Sequence, residues 1–168
     1  MRLWPHIIGL LLIALVSEMS VLAAFGQKPA APTVSRVEVV LAYHLRAREA
    51  ELKKEFAQAG LANAHFQFAR MGQPPQNIGM GREVPADKAR EAIRLALKYN
   101  LGVGILLPER LFPPRFITIA SSNYDDTVEY PIDQATLGKL QNPELTTEAF
   151  HRLYHELTSA VIIPKGHY

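Results

Sequence analysis

The chain has 168 residues, 18 basic and 16 acidic side chains, a formal net charge of +2, 48% hydrophobic residues and no cysteine. So small a charge, with no basic stripe among the aromatics, does not point to nucleic acid. The missing thiols exclude disulfides, thiolate zinc sites, redox pairs and cysteine nucleophiles together.

The N-terminal 26 residues carry the clearest signal. Arg2 precedes an unbroken apolar run from Ile7 to Val16. Ser17-Glu18-Met19-Ser20 interrupts it, and Val21-Leu22-Ala23-Ala24-Phe25-Gly26 supplies small residues for a peptidase. Residues 1–26 therefore read as a signal peptide or an N-terminal membrane anchor. As an anchor, residues 7–25 would span roughly 28 Å at about 1.5 Å per residue, barely the hydrocarbon thickness. It would also place Glu18 in lipid at a cost of about 2.5–3.5 kcal/mol. Cleavage is the favoured reading. Either way the rest of the chain is exported, to the periplasm or the extracellular space, and touches membrane only through residues 7–25 if they remain.

Residues 27–35 (QKPAAPTVS) form a Pro/Ala-rich linker, and 36–168 suit a single α/β domain whose C-terminal helices occupy 121–168. Val37–Tyr43 is β-branched and apolar and predicts a strand. Leu45–Ala59 predicts a helix, with Leu45, Leu52, Phe56 and Ala59 on one face and Gly60 as its left-handed stop. On its polar face Glu49 and Lys53 attract, whereas Glu51 and Glu55 repel. Ala64–Ala69 alternates as a second strand. Ile78–Arg82 predicts a short extended piece in which Gly79 and Gly81 mark a closely approached backbone.

Pro85 opens a second helix with an inner stripe of Ala89, Ile93, Ala96 and Leu97, ended by Asn100 and Gly102. Val103–Leu107 and Arg115–Ala120 complete the strands. Two βαβ-like units forming one sheet are expected, with the ferredoxin-like arrangement as first choice. A C-terminal helical pair follows. Asp133 caps a helix to Leu140, and Thr146 or Thr147 caps one to Thr158 with Phe150, Leu153, Tyr154 and Leu157 inward.

Three patterns could carry chemistry. Glu148, His151 and His155 project to one flank of the last helix, a spacing that suits a divalent metal. They lack the glutamate beside the first histidine of a zinc-peptidase helix. Ser121, Ser122, Asn123, Tyr124 and Asp125 follow a strand, where α/β proteins place ligands, although such residues also simply turn the chain. Phe112, Arg115 and Phe116 put two aromatics and a cation around a turn and suit a contact patch.

There is no Gly-x-Ser-x-Gly elbow and no Gly-x-Gly-x-x-Gly fingerprint. The leading expectation is an exported, non-catalytic envelope module that needs no cofactor and binds an envelope protein or a cell-wall glycan. One rival is a metal-dependent or hydrolytic envelope enzyme using Glu148, His151 and His155. The other is a membrane-tethered subunit docking through its last helix.

Overall fold

The structure, a computed structural model, describes residues 33–70, 72–100, 102–123 and 132–160. The signal or anchor at 1–26, most of the 27–35 linker, and Tyr124 and Asp125 lie outside the described residues.

In chain order the elements are β1 (Arg36–Ala42), a 3-10 turn (Tyr43–Arg48), α1 (Glu49–Gln58), β2 (Ala64–Ala69), β3 (Asn77–Met80) and α2 (Ala86–Tyr99). Then come β4 (Ile105–Leu107), a 3-10 turn (Glu109–Leu111), β5 (Phe116–Ile119), α3 (Gln134–Leu140) and α4 (Thr147–Thr158). The strands form one sheet in the order β2-β1-β5-β3-β4. β1 is parallel to β2 and β5, β3 is parallel to β4, and β3 and β5 run antiparallel.

The fold is thus α/β, with two βαβ units in one sheet. The strand order differs from the ferredoxin-like split, in which a strand of one unit separates the two strands of the other. Here each unit keeps its strands as direct neighbours and β5 joins the units. The residues of β5 explain why: Ile117, Thr118 and Ile119 are all buried, on both faces of the sheet, and Phe116 is half-buried. A strand buried on both sides belongs at the centre.

Alternation along the strands sorts the two faces. Val37, Val39, Leu41, Ile78, Met80, Ile117 and Ile119 are at most 1% exposed and form one cluster with Leu52 and Phe56 of α1, Ile93 of α2, and Phe150 and Tyr154 of α4. All four helices contribute to this cluster, so they cover the same face. The rings of Phe56 and Phe66 meet edge to face, 4.9 Å apart, and key α1 to β2.

The helix ends follow the sequence signals. Gly60 has φ +77° after α1, and Gly102 has φ +124° after α2. Asp133 accepts the Thr136 amide, and Thr146 accepts the Ala149 amide. Segment 43–48 is a 3-10 turn rather than the first part of α1, although Leu45 still faces the core. The expected repulsion at Glu55 is relieved across helices. Its carboxylate receives Lys98 at 2.8 Å, Arg94 at 3.5 Å and the Tyr99 hydroxyl, all from α2. Burial raises the Glu55 carboxyl, but the Lys98 and Tyr99 hydrogen bonds and the Lys98 charge outweigh it, and its pKa lies below the ordinary carboxylate value.

Candidate functional site

The opposite face of the sheet carries Glu38, Val40, His65 and Gln67, all half-buried or exposed. The turn from Leu111 to Phe116 lies across one end of it. Phe116 points away from its core-facing neighbour Ile117 and stacks on Phe112, ring centroids 5.8 Å apart. The Phe112 ring rests directly on Gly79, where a Cβ would run into it, and a Cβ on Gly81 would meet the backbone of Pro113 and Pro114. The close approach anticipated at these two glycines is therefore the seat of this turn.

The backbone pins the turn as well. Gly81 donates to Phe116 O at 2.9 Å, and Glu83 donates to Pro114 O at 2.7 Å. Arg115 is exposed and pairs with Glu83 at 3.2 Å, and Leu111 is 37% exposed. The outcome is a rigid raised corner with half-buried aromatics, a cation at the rim and an apolar tip. All three residues of the expected contact patch, Phe112, Arg115 and Phe116, are brought together here.

The Ser121 to Asn123 segment is a turn at the carboxyl end of β5. Asn77, 1% exposed at the start of β3, clamps it. Its Oδ1 accepts the Ser121 amide at 2.8 Å, and its Nδ2 donates to Ser121 O at 2.9 Å. Ser121 is buried, while Ser122 and Asn123 are exposed. Just before the clamp Ala120 adopts φ +60°, a left-handed conformation that costs a residue with a Cβ about 1 kcal/mol. The two Asn77 bonds hold it there.

On α4 the three expected metal ligands go different ways. His151 turns inward. Its Nδ1 meets the Glu109 carboxylate, and its Nε2 lies 2.7 Å from Val84 O. Both neighbours offer acceptor oxygens, an arrangement that favours the protonated ring, in which both nitrogens donate. Burial lowers its pKa, but the Glu109 hydrogen bond and charge and the Val84 carbonyl outweigh that and raise it above the usual histidine value. The side chains of the pair are only 11% and 13% exposed.

Glu148 and His155 stay exposed on the outside of the helix. A metal at His151 would have to displace Glu109 or Val84 O. No group of three or more acidic or histidine residues among the described ones is placed to share an ion.

One turn further, Tyr154 is fully buried and donates to Leu107 O at 2.9 Å, with Ile78 O at 3.3 Å. Burial, and then the Glu109 charge, push its hydroxyl well above the ordinary tyrosine value. The inward stripe is as anticipated: Phe150 and Tyr154 are fully buried, and Leu153 and Leu157 are half-buried against the core. A docking helix would have left that stripe exposed.

Sequence reasoning missed Asn77, Glu109 and Val84. Asn77 and Ser121 are 44 residues apart, and His151 and Glu109 are 42 apart. No local spacing encodes such pairs. The one available signal was Asn77 itself, a short polar residue opening an otherwise apolar strand.

Between α1 and α2 runs a charged furrow lined by Glu51, Glu55, Asp87 and Glu91 against Lys54, Lys88, Arg90 and Arg94. Its charges balance and favour neither sign of ligand. Comparison of the chain with protein-family models, with curated proteins and with solved structures gives no match.

Proposed function

We propose that the chain is an exported envelope module that works by binding an envelope protein or a cell-wall component, not by catalysis. The observation that carries this reading is the corner at Leu111 to Phe116. Stacked aromatics, a rim cation and an exposed leucine stand on the sheet face opposite the helices, held by Gly79 and Gly81. Interfaces favour such a combination: rigid aromatic anchors, an arginine, and little side-chain entropy left to lose. The segment at residues 1–26 supports export.

The test is co-sedimentation of the full chain with purified cell-wall sacculi and, separately, with envelope membranes. The wild type should pellet with one of them, and the Leu111→Asp/Arg115→Glu variant should bind at least about tenfold more weakly, the scale of one interface hot spot. Failure to pellet with either, or equal binding by the variant, refutes the reading. The metal-enzyme alternative has its own measurement. It requires micromolar zinc, manganese or nickel binding that His151→Ala/His155→Ala abolishes, whereas the binding-module reading predicts no such heat in calorimetry.

A further inference from the structure

The two feet of the Leu111 to Phe116 corner meet at one side chain, His151. One foot is the 3-10 turn Glu109–Leu111, in which Glu109 O accepts the Phe112 amide at 3.1 Å. The other is the turn of residues 81–84, closed by the Val84 amide on Gly81 O at 3.2 Å. That second turn gives the corner its backbone bonds from Gly81 to Phe116 O and from Glu83 to Pro114 O, and it carries the carboxylate that pairs with Arg115. The His151 ring bridges the feet, with Nδ1 on the Glu109 carboxylate and Nε2 2.7 Å from Val84 O.

Serving both feet takes two N–H groups, and imidazole has two only when protonated. A neutral ring serves one foot and turns a lone pair on the other. The carboxylate is the stronger acceptor and keeps the N–H, so Val84 O is the one released. Val84 is 0% exposed, so water does not reach the freed carbonyl in place. The 81–84 turn must shift to relieve it.

Among the described residues the charged group that meets the ring is Glu109. Glu83, beside Val84, is turned to Arg115, and Asp87, in the first turn of α2, pairs with Lys88. Arg82 and Arg110 are exposed, as are Glu148, Arg152 and His155 on α4. Tyr154 is buried and donates its proton to Leu107 O.

We propose that His151 is a positioning residue for the corner: its protonated ring locks the two feet together, and loss of the proton frees the 81–84 turn and loosens the corner. The consequence for binding rests on the corner being the binding surface. The chain then holds its envelope partner more tightly below the His151 midpoint than above it.

The test is NMR on the full chain, titrated from roughly pH 5.5 to roughly pH 9 to bracket the histidine. The His151 ring should titrate with a midpoint above about 6.5. Backbone order parameters at Leu111, Arg115 and Phe116 should fall from about 0.85 to below about 0.7 with that same midpoint, while those of β1 stay unchanged. Glu109→Gln should lower the His151 midpoint and carry the loosening of the corner down with it. His155→Gln, a change at the exposed histidine of the same helix, should leave both where they are. Pelleting with sacculi or membranes should weaken at least about fivefold across the midpoint and move with it in Glu109→Gln.

The proposal is overturned by a corner that stays ordered as His151 loses its proton, by loosening at another midpoint, or by loosening that Glu109→Gln does not move. Binding that ignores pH while the corner loosens overturns the coupling to the partner. Failure to pellet at any pH refutes the envelope-binding reading alone, and the order parameters then decide the positioning role by themselves.

Discussion

His151 and Asn100 are both polar residues lodged among apolar neighbours, and the fold treats them in opposite ways. His151 has an acceptor on each ring nitrogen, Glu109 on one side and Val84 O on the other, and through them it ties α4 to the segments before α2 and after β4. Asn100 has no partner for either amide atom among the described residues. The histidine resembles chemistry in the sequence and works as a structural tie. The asparagine resembles a helix terminator, and its amide stays buried with neither atom hydrogen-bonded among the described residues. Burial alone does not tell the two apart; hydrogen-bond satisfaction does.

The sharpest way to break that contrast is to remove the tie. His151→Ala should cost about 3 kcal/mol in urea unfolding, because it leaves the Glu109 carboxylate largely buried without its cation. A loss below about 0.5 kcal/mol, the level of an ordinary surface change, would show that the pair holds nothing together. Asn77→Ala tests a satisfied asparagine against the unsatisfied one. It strips the Ser121 amide and carbonyl of their partners and should cost about 2 kcal/mol, whereas Asn100→Leu should cost nothing. Equal losses in the two would erase the distinction. Tyr154→Phe keeps the ring and gives up the bond to Leu107 O, for about 1 kcal/mol by the same measurement.

The smallest effects concern charge. His151 holds its proton more tightly folded than unfolded. Its contribution is therefore complete below the unfolded value of about 6.5 and is lost as the pH rises through the higher folded value. Wild-type stability should fall over that interval, and Glu109→Gln should flatten the dependence by removing the facing charge. A Glu109→Gln profile parallel to the wild type would show that another group is responsible. Lys98→Gln loosens a partly exposed pair with Glu55 and should have the smallest effect of these changes on urea unfolding, smaller still in high salt. A salt-independent loss would contradict the exposed character of that link.

Much of the local structure was legible. Strand alternation in β1 and β2, the Pro85 entry to α2, the stop at Gly60, and the caps at Asp133 and Thr146 all depend on neighbours within about four residues, which a sequence displays directly. The glycine pair at 79 and 81 could be read as a close approach, but not what approaches. That is Phe112, Pro113 and Pro114, some thirty residues on. The candidate site was legible in part for the same reason. Phe112, Arg115 and Phe116 are near in sequence, so one turn gathers them. Glu148, His151 and His155 share a helix flank, but sharing a flank says nothing about what faces it, and the partner of His151 comes from the turn after β4.

By itself the sequence determined the α/β class, the two βαβ units, the helix ends and the inward stripe of α4, because each follows from short-range sterics, capping and the periodicity of burial. Only the tertiary structure decided three things. It set β5 between the two units, tied His151 to Glu109 and Val84 O, and left the Asn100 amide buried without a partner among the described residues. These depend on which distant groups meet, and that is settled by packing and hydrogen-bond satisfaction over the whole sheet, where no local pattern of residues records it.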